Sequence, residues 1–281
     1  MERSASLFLT RRGSTPQEHL SCNDMRVAIR HRISLRITLA INEPTICAEC
    51  RKTFDPLGVH TLCCQKTGNH KGVHNTGRDA TDRYLKRCGI TPWKKDPKVA
   101  EAGEENDDDM AVIADLGFDR KNNQEAWIDL VSICPTAPTY VQNSAKDPGW
   151  CLRKVDKQKR LQYGPHARPR NALVFSLSFE TGGALGPDWL ALHKLVLQES
   201  AEDEGVVKKA FQRLMVDMSC AIQHGVARMT YRGYSKLLQH QPGRLEAQEW
   251  RPTSRNDPPC FGRVEDRQST FIIKYAEHKG A

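Results

Sequence analysis

Apolar residues fall into separable blocks along the 281-residue chain, and the period inside each block limits what it can form. In 22–40, Met25, Val27, Ala28, Ile29, Ile33, Leu35 and Ile37 are interleaved with arginines. That spacing predicts a basic amphipathic helix running into an extended segment. A helix is expected over 72–88, with Val73, Ala80, Tyr84 and Leu85 on one side and Gly89 as its stop. Two strand-like runs, 110–118 and 126–133, flank the polar stretch DRKNNQE and read as a hairpin. Residues 135–149 hold three prolines and read as a loop. A basic helix fits 150–163, a strand fits 171–179, and two further helices fit 187–199 and 203–224. Residues 1–21 lack periodicity and 236–281 are poor in apolar residues, so both are expected to be disordered. The order of elements implies an α/β (α+β) fold over 76–235, with a mixed central sheet flanked by helices. A basic lead-in (22–46) and a compact cysteine-rich unit (47–75) precede it.

Charge adds a partner class. Lys and Arg number 42 against 34 Asp and Glu, a net charge of +8. This suits a polyanion such as nucleic acid, and equally a basic protein without one. The acidic run 101–109 would repel phosphate and is expected to point away from such a partner. No run of 18 apolar residues occurs, so no membrane span is expected. The apolar stretch near the start is too short for a signal-peptide core, so secretion is not expected. Ten cysteines are present, four of them within 47–64. Such clustering favours metal over disulfides and a reducing compartment, nuclear or cytoplasmic.

The cluster reads Cys47-x2-Cys50-x9-His60-x3-Cys64. A CxxC turn lets two thiolates reach one Zn2+, and a distant His and Cys complete the tetrahedron at ~2.0–2.3 Å bond lengths. Gly58 permits the turn that returns the second pair. Cys63, His70 and His74 are alternative ligands. Four protein ligands leave no open position, so this zinc would be structural.

A second constellation is acidic. Asp115 lies in AVIADLGF and Asp129 in AWIDLVSI. A lone acid in an apolar strand is costly unless paired or bound to metal. Side by side on a hairpin, the two could share one Mg2+ or Mn2+ through oxygen ligands; equally, they could cap strand ends or form salt bridges. Lys157 and Lys159 follow on the basic helix, with Tyr163 one turn beyond Lys159. A nearby lysine would offset the charge that develops in phosphodiester hydrolysis; a solvated helix face is the alternative. Glu180, beside Gly182 and Gly183, would face the same pocket or cap a turn.

These motifs resemble a known family. CAEC…DPLGVHTLCC…HNTGRDA is similar to the zinc knuckle downstream of the polymerase in non-LTR-retrotransposon reverse transcriptases. IAD-x13-D, then Lys159-x3-Tyr163, then FETGG resembles their restriction-endonuclease-like domain of the PD-(D/E)XK type. The likeness spans about residues 22–235. It implies that Asp115 and Asp129 hold the metal. Lys159 would be the displaced catalytic lysine, with Lys157 as fallback and Tyr163 in support. Ala114 stands where that family usually has Pro, and no YxDD-like polymerase motif occurs. The expectation is a strand-nicking, metal-dependent DNA endonuclease, with DNA or RNA as its nucleic-acid partner and a separate reverse transcriptase as a protein partner. The alternative is a catalytically inactive zinc-dependent nucleic-acid-binding module, a decayed fragment of such an element.

Overall fold

A computed structural model describes residues 2–37, 45–47, 49–64, 66, 70–93, 98–100 and 112–239. The acidic run 101–109 and the tail from 240 onward lie outside the described residues. Helix α1 (Cys22–Arg32) opens on a capping box. Ser21 accepts from the Asp24 backbone N–H, and Asp24 accepts from the Ser21 N–H, satisfying two otherwise orphaned donors. Strands β1 (Thr45–Ile46) and β2 (Thr53–Phe54) pair antiparallel, followed by the short helix α2 (Val59–Cys63) and by α3 (His70–Arg87). A small pair, β3 (Lys98–Ala100) and β4 (Val112–Ile113), precedes β5 (Leu116–Asp119) and β6 (Glu125–Ile133). Then come α4 (Val141–Ser144), α5 (Trp150–Ala167), β7 (Leu173–Glu180), α6 (Asp188–Glu199) and α7 (Glu204–Gln239).

The central sheet has the order β5-β6-β7: β5 and β6 are antiparallel, β6 and β7 parallel. A parallel pair needs a crossover, and α5 supplies it. Period-2 alternation then separates two faces. Ile128, Leu130, Phe175, Leu177 and Phe179 face the main core with Ala80, Tyr84 and Leu85 of α3, Trp189 and Leu192 of α6, and Leu214 and Met218 of α7. Trp127 packs with Tyr163 and Ala167 of α5, and Ile133 with Leu152 and Val155. Asp129 shares the parity of Trp127 and Ile133 and so lies under α5. Mixed α/β architecture with helices on a mixed sheet agrees with the sequence pattern.

Two differences stand out. Of the stretch 1–21, expected to be disordered, residues 2–21 pack along α7. Phe8 is fully buried with Leu20, Ala28 and Cys220, and its N–H donates to Ser219 Oγ at 3.1 Å. Asp217 accepts from the N–H and hydroxyl of Ser14, and buried Glu18 meets Arg83. One aromatic anchor and a charged network hold this segment, so it needs no hydrophobic period. Helix α7, expected over 203–224, continues to Gln239 through Gly225 and Gly233. A Cβ at Gly225 would stand 2.2 Å from Val73 Cγ2, and one at Gly233 2.5 Å from Thr61 Cγ2. Close helix crossing, not flexibility, explains these glycines. No helix among the described residues is long and apolar enough to cross a membrane.

Candidate functional site

Cys47 and Cys50 sit on the turn between β1 and β2. That turn is closed by Cys47 N–H to the Lys52 carbonyl (2.9 Å) and Arg51 N–H to the Cys47 carbonyl (2.9 Å), with Arg51 left-handed at φ 63°. Of the returning pair, His60 lies on α2 and Cys64 is its C-cap. Gly58 turns the chain at φ 74°, and the Asp55 carboxylate accepts from the Val59 and His60 N–H groups at 3.1 and 2.7 Å. A cap of this kind contributes about 1 kcal/mol and fixes where His60 and Cys64 point. One ligand atom from each of Cys47, Cys50, His60 and Cys64 lies within 4.8 Å of the others. Cys50 Sγ stands 3.4 Å from His60 Nε2. A tetrahedron with zinc-type bonds has edges of roughly 3.3–3.8 Å, so the set fits a metal such as zinc. Burial, with the thiols of Cys47 and Cys64 adjoining, pushes the Cys50 pKa up; a bound cation would reverse that cost.

The alternative ligands go elsewhere. Cys63 turns into the core beside the Cys134 thiol. His70 Nε2 lies 3.3 Å from the Cys64 carbonyl oxygen, outside the ligand set but touching it. His74, one turn later on α3, reaches Asp115. The unit is seated on the far end of α7: Phe54 packs edge-on to Tyr234 at 5.0 Å, in a cluster with Ile37 and Leu237.

The acid pair forms through strand register. Leu116 pairs with Ile128 and Asp119 with Glu125 across the turn at 120–124. The ladder ends at Leu116; just before it, the Asp115 N–H donates to the carbonyl of Ile128, the partner of Leu116, at 2.9 Å, which brings Asp115 beside the Asp129–Leu130 stretch of β6. Both side chains are buried. Asp115 Oδ2 accepts from the Leu130 N–H at 2.6 Å and meets His74 Nε2 at 3.0 Å. This contact raises the His74 pKa, against the opposing effect of burial.

From α5, Lys159 Nζ lies 3.3 Å from Asp129 Oδ1 and 3.1 Å from Oδ2. The second approach is poorly aligned, and Oδ2 accepts no hydrogen bond within the protein. Tyr163 Oη lies 2.8 Å from Asp129 Oδ1 and 2.6 Å from the Ile113 carbonyl oxygen. Its single proton can be donated to only one of these two acceptors at a time. Burial pushes the Asp129 pKa up, Lys159 and Tyr163 draw it down, and Asp115 adds to the rise.

Asp115, Asp129, Lys159 and Tyr163 thus converge as the spacing suggested. Two candidates do not join them. Glu180 pairs with Ile133, whereas Asp129 pairs with Ser176; four residues of strand is about 13 Å. Glu180 instead accepts from the Cys151 thiol at 3.2 Å. Lys157 is exposed on another flank of α5. The contact of His74 escaped the sequence reading because it joins residues 41 apart. Asp156 and Asp188 escaped it too. Buried beside the pair, they bind the hydroxyl and the N–H of Ser176 at 2.9 Å each. No protein-family model matches this chain, and no curated protein matches it.

Proposed function

We propose that this chain is a metal-dependent DNA endonuclease of the restriction-endonuclease-like type, which nicks a strand and carries a structural zinc knuckle. The observation behind this reading is that buried Asp115, just before β5, and buried Asp129 of β6 feel each other's charge, with Lys159 and Tyr163 of the crossover helix bound to Asp129. Two carboxylates crowded together, one pushed up by burial, suit a divalent cation that offsets their charge. Asp115 and Asp129 are the residues that would hold it. Bound there, Mg2+ or Mn2+ would supply Lewis-acid stabilisation and an acidified water. Tyr163 and His74 orient the two acids. Lys159, paired with Asp129, would offset the negative charge that grows on the phosphoryl oxygens. Cys47, Cys50, His60 and Cys64 would hold a zinc with four protein ligands, so their part would be to fold and grip. DNA or RNA is the expected partner, with a separate reverse transcriptase as a protein partner.

One observation favours a second reading, a nucleic-acid-binding module without turnover. Both acids already have a partner, His74 and Lys159, and a salt-bridged pair needs no metal. Supercoiled plasmid, with and without Mg2+ or Mn2+, separates the two. The first reading expects metal-dependent nicking that Asp129→Asn abolishes and Lys159→Ala slows by about 10²–10³-fold, with duplex binding retained. Binding without nicking in either metal supports the second. Nicking by Asp129→Asn at the wild-type rate removes the acid pair from the chemistry.

A further inference from the structure

Helix α5 has two working flanks. Leu152, Asp156, Lys159, Tyr163 and Ala167 face the sheet. Each is followed at once by a member of another stripe: Arg153, Lys157, Arg160, Gly164 and Arg168. One residue turns an α-helix by about 100°, so the second stripe runs alongside the acid pair, a quarter-turn around the axis. Arg153, Lys157, Arg160 and Arg168 line one open groove of about 410 Å3, with Leu161, Pro187 and the largely buried carboxylate of Asp156. Arg160 is fixed by an ion pair to buried Asp188. Arg153 pairs with Asp147, a contact exposed on both sides and therefore weak. Lys157 and Arg168 have no ion-pair partner among the described residues. The stripe is about 22 Å long, comparable to more than half a turn of duplex DNA.

We propose that this flank of α5 is a track for the phosphate backbone of duplex DNA, with Lys157 and Arg168 making the main contacts. It rests on the endonuclease reading, and it deepens it by saying where the duplex lies relative to Lys159. Cations in an open groove, held by a rigid helix, contact phosphates without reading sequence. Exposed Leu161, at 69 % accessibility, interrupts the charge and marks a place where one more cation would fit.

The test measures affinity for a short duplex against salt, with Ca2+ replacing Mg2+ so that the duplex stays uncut and zinc is not stripped. Lys157→Ala/Arg168→Ala is expected to flatten the slope of log affinity against log salt by about 2. Over a fourfold rise in salt, the wild type should then lose about tenfold more affinity than this variant. Leu161→Lys is expected to steepen the slope by about 1. Unaltered slopes in both variants, with the wild type binding normally and the variants keeping their zinc content and melting temperature, overturn the track while leaving the endonuclease reading standing. Competition by polyglutamate as strong as that by DNA also overturns it. A wild type with no duplex affinity overturns the endonuclease reading and the track together.

Discussion

His31 shows how one side chain ties this fold to pH. Its Nε2 lies 2.9 Å from Thr230 Oγ1, and burial holds its pKa down at about 4, below the ordinary 6.5. Its neutral form belongs to the folded state, so its contribution is full above pH 6.5. That contribution drains away as pH falls from there towards 4, on the order of 2 kcal/mol after allowing for partial exposure. Denaturant melts of wild type and His31→Gln from pH 7 to 4.5 should show a shallower loss for the variant; parallel curves would sink the assignment. At this scale the sequence disclosed residue types well. The CxxC spacing and the thirteen residues between Asp115 and Asp129 were both legible, because a tight turn and a hairpin convert sequence distance directly into proximity. His74 was not, since its partner depends on where α3 crosses the sheet. Nor was the dismissal of Glu180, which required the parallel register of β6 and β7.

Elements tell a similar story. Amphipathic helices and the hairpin follow from periodicity, whereas the second half of α7 does not. Gly225, Thr230 and Gly233 have weak helix preference, and local reading stops before them. They are helical because α7 must pass close to α3 and α2. The two glycine contacts between α3 and α7 differ sharply. At Gly77, a new Cβ meets flexible Met218 and Leu130 atoms at 3.3 Å. At Gly225 it meets three atoms of branched Val73, the nearest at 2.2 Å. Gly77→Ala is therefore expected to be neutral or to gain up to about 1 kcal/mol from helix propensity. Gly225→Ala should lose about 1–3 kcal/mol to overpacking. Thermal melts of the two variants give the comparison, and equal melting temperatures would refute it.

Across the whole molecule, the Cys–His cluster and the sheet share two supports. The C-terminal end of α7 carries Tyr234 and Leu237 against the cysteine unit, while its middle packs on α3 and the core. At the start of α3, His70 touches the Cys64 backbone and His74 touches Asp115. Metal removal should therefore be felt far from the ligands. In Cys64→Ser, or after chelation by a zinc-selective agent, the melting temperature is expected to drop by several degrees. Amide exchange should rise at the end of α7 and in the first turn of α3 together. Exchange confined to 45–64 would show that the unit folds independently. The N-terminal strap was invisible to pattern reading for the same reason: its partners, Asp217 and Ser219, lie about 200 residues away.

The length of α7 also sets a timetable for synthesis. It closes over the N-terminal strap, α1, α2 and α3, yet its last turn is made about 150 residues after α3 ends. At ~5–20 residues per second, the apolar faces of those helices wait on the order of ten seconds for their cover. A nascent chain halted before α7 begins at Glu204 would leave the ribosome with them bare, prone to aggregation and a ready client for chaperones.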